Sequence, residues 1–117
     1  MPASRLYHNP RCSKSRAALE LLRERGIEPE VVPYLKQPPS LADLNGLLAM
    51  LGCGARDIVR SGEDEYRQLG LDDAATSDAE LLAAMIAHPR LIERPIFVHG
   101  DRAVVGRPPE RVLELLG

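Results

Sequence analysis

The first third of the chain restricts the fold most, because two strand-like runs there flank a single helical pattern. Residues 3-8 are short and mixed, ending Arg5-Leu6-Tyr7-His8, and read as a strand. Asn9-Pro10 breaks that strand. From Ser13 to Arg25 apolar residues recur at helical spacing, with Ala18, Leu21 and Leu22 on one stripe and Leu19 beside it. Gly26 is the expected C-cap, since a residue without Cβ enters the left-handed region at little cost. Glu30-Val31-Val32-Pro33-Tyr34-Leu35 reads as a second strand. Strand, helix and strand within about thirty residues form a βαβ unit, which predicts parallel strands with a right-handed crossover.

The middle of the chain is helical without another strand. Pro38-Pro39-Ser40 opens a helix in which Leu41, Leu44, Leu47, Leu48 and Leu51 form the expected buried stripe, and Gly52 ends it. Ser40 with Asp43 resembles a capping box, and Ser77 with Glu80 is a full one by residue type. Short helical segments are expected over 55-60 and 63-69. Leu81, Leu82, Met85 and Ile86 follow Ser77, and His88-Pro89 stops that helix. Glu93-Arg94-Pro95-Ile96-Phe97-Val98 and Arg102-Ala103-Val104-Val105 flank His99-Gly100-Asp101 and predict a β-hairpin. A last helix follows Pro108-Pro109, with Val112, Leu115 and Leu116 inward. The predicted order is β-α-β, a helical insertion, then β-β-α, in one domain spanning 1-117.

Tyr7-His8-Asn9-Pro10-Arg11-Cys12-Ser13-Lys14-Ser15-Arg16 carries the chemistry. Cys12 falls where the strand turns into the helix, beside unpaired N–H groups and the positive end of the helix dipole. Such a position favours a thiolate and can receive an oxyanion. His8, Arg11, Lys14 and Arg16 add donors and positive charge. The competing reading is a small buried core cysteine, but few apolar sites are flanked by His, Arg and Lys. Cys53 lies in Leu51-Gly52-Cys53-Gly54 and reads as a bystander in a tight turn. Two cysteines make no disulfide framework, and their placement predicts a reducing, cytoplasmic setting. Cys12 lacks a C-x-x-C partner and the three histidines are scattered, so no metal site is expected. The net charge of -2 argues against nucleic-acid binding through bulk charge. No apolar run is long enough to span a bilayer.

The β-α-β, helical, β-β-α order is similar to the thioredoxin-like fold, an α/β architecture with a four-stranded mixed sheet. His8-Asn9-Pro10-Arg11-Cys12-Ser13-Lys14-Ser15-Arg16, Tyr34-Leu35 before Pro38-Pro39-Ser40, Glu93-Arg94-Pro95-Ile96 and Gly106-Arg107-Pro108 resemble the glutaredoxin-coupled arsenate reductase (ArsC) family, in its short bacterial members. The resemblance runs from about residue 5 to the last helix. It implies that Cys12 attacks arsenate, that glutathione as co-substrate releases the reduced product, and that glutaredoxin clears the mixed disulfide. It implies further that Arg60, Arg94 and Arg107 hold the oxyanion, that His8 helps keep the thiol ionised, and that Ser15 assists. It suggests a cis Arg94-Pro95 bond. No bound cofactor is expected, and a monomer is. Ser15 at the second cysteine position of C-x-x-C means that Cys12 needs an external thiol. Two alternatives keep the fold: thiol chemistry on another oxidised thiol, or a regulator-like protein-binding module. The latter typically carries a C-x-x-C switch that Ser15 removes.

Overall fold

The computed structural model describes residues 3-116. The chain divides into two compact units, one of 1-37 and 94-117, the other of Pro38–Glu93. In the first unit β1 (Ser4–Tyr7), β2 (Glu30–Val32), β3 (Ile96–His99) and β4 (Arg102–Val105) form a four-stranded sheet in the order β2-β1-β3-β4. β1 is parallel to β2 and antiparallel to β3, and β3 is antiparallel to β4. This is the mixed sheet of the thioredoxin-like fold. The second strand is shorter than 30-35: Pro33 lacks the N–H a ladder needs, and its carbonyl accepts from Lys36 and Gln37 in a turn.

The sheet register places the core. Val31, Leu6, Phe97 and Val104 lie in one cross-strand row. Leu6, Phe97 and Val104 pack with Ala18 and Leu22 of α1 (Ser13–Glu24) and with Val112. Val112 lies on the closing segment Pro109–Leu115, a 3-10 helix and not the α-helix its apolar spacing suggests. α1 ends as expected at Gly26, whose φ is +78°. Gly26 N–H donates to Arg23 O at 3.0 Å and Ile27 N–H to Leu22 O at 2.9 Å, the paired bonds of a Schellman motif. Ile27 then packs on the same cluster as Leu22 and leads the chain into β2.

The second unit holds α2 (Leu41–Leu51), α3 (Asp64–Gln68) and α4 (Asp78–Ala87), with 3-10 turns at Ala55–Asp57 and Pro89–Leu91. α2 packs on α4. Leu44 and Leu47 are buried, but Leu41 at the first turn is 51% exposed, so the stripe starts one turn later than its spacing predicts. The two caps also differ from their residue types. Ser40 and Asp43 form the reciprocal box, each backbone N–H donating to the other's side chain at 3.1 Å. At α4, Ser77 Oγ accepts from Glu80 N–H and its hydroxyl donates to the Glu80 carboxylate. Arg56 organises the 66-76 stretch, donating to Tyr66 Oη and to the carbonyls of Leu71, Asp73 and Thr76. Among the described residues no helix is long and apolar enough to cross a membrane.

Candidate active site

The same register that builds the core gathers several of the candidate site residues at one end of the sheet. Tyr7 pairs with Ile96, and Ile96 with Val105, so His8, Pro95 and Gly106 come next at the same end of β1, β3 and β4. His8 N–H donates to Val32 O at 3.0 Å and Gly106 N–H to Pro95 O at 2.8 Å, which continues the ladder past the assigned strands. Arg94 and Arg107 follow as neighbours, and Arg107 Nη1 donates to Arg94 O at 3.2 Å. Both the Arg94-Pro95 and Arg107-Pro108 peptides are cis. Gly106 is required by a close approach: a Cβ there would lie 2.9 Å from Pro95 Cγ and 3.0 Å from Val112 Cγ1.

Asn9 shapes the turn from β1 into α1. Its carbonyl accepts from Cys12 N–H at 3.0 Å, and its Oδ1 accepts from Arg11 N–H at 3.0 Å. Cys12 is thereby set as the N-cap of α1, with extended φ and ψ and its carbonyl accepting from Arg16 N–H. No acidic residue lies in the first turn to offset the dipole. The Cys12 thiol is half-buried. Burial alone pushes its pKa up, but the Ser15 N–H, the Arg94 guanidinium, the Lys14 N–H and the Arg94 charge outweigh that, so it lies below the ordinary thiol value. Cys53, by contrast, has its pKa raised by burial and the Asp57 charge.

Ser15 is fully buried beneath this turn. Its Oγ accepts from Asn9 N–H at 3.1 Å and lies 2.6 Å from His8 Nδ1. Burial lowers the His8 pKa, and the charges of Arg23 and Arg16 lower it further, so the ring is neutral at pH 7. A neutral ring accepting at Nδ1 from the Ser15 hydroxyl carries its proton on Nε2. Ser15 meets the sulfur through its backbone N–H, while its hydroxyl serves His8 and Asn9.

His8, Cys12, Ser15, Arg94 and Arg107 all belong to the sheet unit. Arg60 belongs to the other one, where Nη1 bonds Glu93 Oε1 at 2.8 Å and Nε bonds Glu63 Oε1 at 3.3 Å. Glu63 also pairs with Arg90 at 3.2 Å. Sequence reasoning treated Asn9 only as a breaker; an Asn-Pro pair two residues ahead of a helix start is the signal for its turn-forming side chain. Gly106 was legible only as part of a motif. Among the described residues no group of three or more His, Cys, Asp or Glu side chains could hold a metal ion.

The fold and the setting of Cys12 define a class: a thioredoxin-like thiol protein whose helix-terminal cysteine has a serine, not a second cysteine, three residues on. The sequence profile of the ArsC family matches residues 7-115. The chain is 52% identical to the uncharacterized protein YfgD of Escherichia coli K12, over 97% of this chain and 96% of that protein. It is 49% identical to an arsenate reductase of Neisseria meningitidis, over 99% of this chain and all of that one. The solved arsenate reductase from Vibrio cholerae superposes with a TM-score of 0.93 at 48% identity, covering 97% of both chains. The chain belongs to the ArsC family.

Proposed function

We propose that the protein is an arsenate reductase that uses Cys12 as nucleophile and glutathione with glutaredoxin as electron donor. The observation that carries the reading is Cys12 at the N-cap of α1, where the Arg94 guanidinium helps hold its thiol below the ordinary pKa, with Arg107 anchored on the Arg94 carbonyl. A thiolate and a tetrahedral oxyanion repel each other, and arginines at the sulfur offset that repulsion with planar, permanently charged donors. The names of the Neisseria and Vibrio relatives support the substrate.

In the first step the Cys12 thiolate forms an S–As bond, and an arsenate oxygen leaves as water after protonation. A glutathione thiolate then attacks the Cys12 sulfur. The S–As electron pair stays on arsenic, which departs as arsenite, and a Cys12–glutathione disulfide remains. Glutaredoxin thiol reduces that disulfide and restores Cys12. Two thiols thereby supply the two electrons that take As(V) to As(III). Arg94 and Arg107 would bind arsenate oxygens and hold the charge that develops on them. His8 and Ser15 would act as positioning residues for the turn that presents the sulfur. The reaction is cytoplasmic, carried out by a monomer. The test is arsenate-dependent NADPH oxidation with glutathione, glutathione reductase and glutaredoxin supplied. Turnover that disappears in Cys12→Ser supports the reading; folded wild type without turnover, beside an active control reductase, overturns it.

A further inference from the structure

The chain passes from β1 into α1 through a turn from Asn9 to Cys12, with Pro10 and Arg11 in its middle. The Asn9 carbonyl accepts from Cys12 N–H at 3.0 Å, which closes a β-turn. Asn9 Oδ1 accepts from Arg11 N–H at 3.0 Å and closes a smaller ring inside it. Asn9 N–H donates to Ser15 Oγ at 3.1 Å and ties the turn to the start of α1. Three polar groups of one buried residue thus hold the chain on both sides of Cys12. The Pro10 ring fixes its own φ and offers no N–H. The freedom left in the turn lies at the Pro10-Arg11 peptide, and the Arg11 N–H taken by the Asn9 side chain belongs to that peptide. One side-chain bond therefore decides how the peptide is oriented. A further bond, from Arg16 Nη1 to Pro10 O at 2.8 Å, is exposed and holds the turn less firmly.

We infer that Asn9 is a positioning residue for Cys12: its side chain orients the Pro10-Arg11 peptide and so sets the Cys12 sulfur against the backbone N–H groups at the start of α1. The N–H groups of Arg11 and Cys12 are engaged by Asn9, so the sulfur meets those of Ser15 and Lys14. Both favour the thiolate. An altered turn moves Cys12 relative to the helix and weakens these bonds, because hydrogen bonds fall off steeply with distance and angle. The Arg94 charge reaches the sulfur from outside the turn and stays in place when Asn9 is changed. The inference rests on Cys12 as the reacting thiol of the proposed function, and not on arsenate as its substrate.

The test uses the full chain carrying Cys53→Ser and follows alkylation of Cys12 by iodoacetamide against pH. In Asn9→Ala the midpoint of the profile is expected to rise by about one pH unit, as the loss of one hydrogen bond to a charged group gives. The plateau at high pH, where every Cys12 is a thiolate, should change by less than about threefold. Asn9→Ser restores a short side-chain acceptor at the same place in the turn and should recover about half of the shift or more. Asn9→Gln carries the oxygen one methylene further out; it is expected to shift like alanine and takes over the test where alanine fails to fold. A midpoint that stays at the wild-type value in Asn9→Ala and Asn9→Gln overturns the assignment. So does a serine variant displaced as far as alanine, or a change confined to the plateau, which marks altered access to the sulfur. Iodoacetamide needs no arsenate, so a displaced and serine-rescued midpoint in a protein without arsenate turnover upholds the role of Asn9 and overturns the substrate alone.

Discussion

Gly106→Ala tests whether the sheet end is as tightly built as the contacts require. The added methyl would sit 2.9 Å from Pro95 Cγ and 3.0 Å from Val112 Cγ1. Comfortable carbon contacts lie near 3.5–4.0 Å, so the overlap is roughly 0.5–1 Å on two sides. Neither neighbour yields easily: Pro95 is a buried rigid ring and Val112 is fully buried in the core. Overpacking of this kind costs about 1–3 kcal/mol. Gly106 is not in the left-handed region, so alanine fits the backbone and recovers about 0.4–1 kcal/mol through the unfolded chain. The net loss is about 1–2 kcal/mol. With a urea m-value near 2 kcal/mol/M, the midpoint should fall by about 0.5–1 M. The same shift displaces Arg94 and Arg107, so the Cys12 pKa should rise. A midpoint equal to or above that of wild type, at unchanged m-value, would refute the packing argument.

Other perturbations separate the parts of the site. Arg94→Leu removes both a hydrogen bond and a charge from the sulfur, so the pH profile of Cys12 alkylation by iodoacetamide should move to higher pH; an unmoved profile contradicts the assigned cause. Ser15→Ala leaves the Asn9 N–H and His8 Nδ1 without their partner, with an expected loss of about 1–3 kcal/mol in chemical denaturation. Because the folded His8 pKa is depressed, the unfolded chain binds more protons between the two values. That stability is fully present above about pH 6.5 and is lost as pH falls through the folded value. His8→Gln should flatten this acid limb of the urea midpoint. Arg56→Met should destabilise the helical unit by about 1–3 kcal/mol, read as earlier hydrogen exchange over 66-76.

Local chemistry made much of this legible. The Pro10 break, the apolar spacing of Ala18 and Leu22, and Gly26 delimit α1 closely, because each acts within a turn of its own position. Cys12 was legible for the same reason: a helix N-terminus is written in the residues on either side of it. What escaped depends on distant partners. Nothing local shows that burial and the charges of Arg16 and Arg23 hold His8 neutral. Nothing near Gly106 announces the Pro95 ring opposite it. Leu41 matches the stripe by spacing, yet the first turn of α2 leaves it exposed. The final segment is 3-10 although its apolar positions fit an α-helix, since spacing over two turns separates the two helices poorly.

The central claim is that Cys12 attacks arsenate and is then attacked by glutathione. It is tested most directly by incubating the protein with glutathione, with and without arsenate and without glutaredoxin, and locating the adduct by peptide mass spectrometry. The account predicts a glutathione disulfide on Cys12 that accumulates only when arsenate is present and reaches one per chain. A disulfide that forms equally without arsenate, or on Cys53 alone, would contradict it.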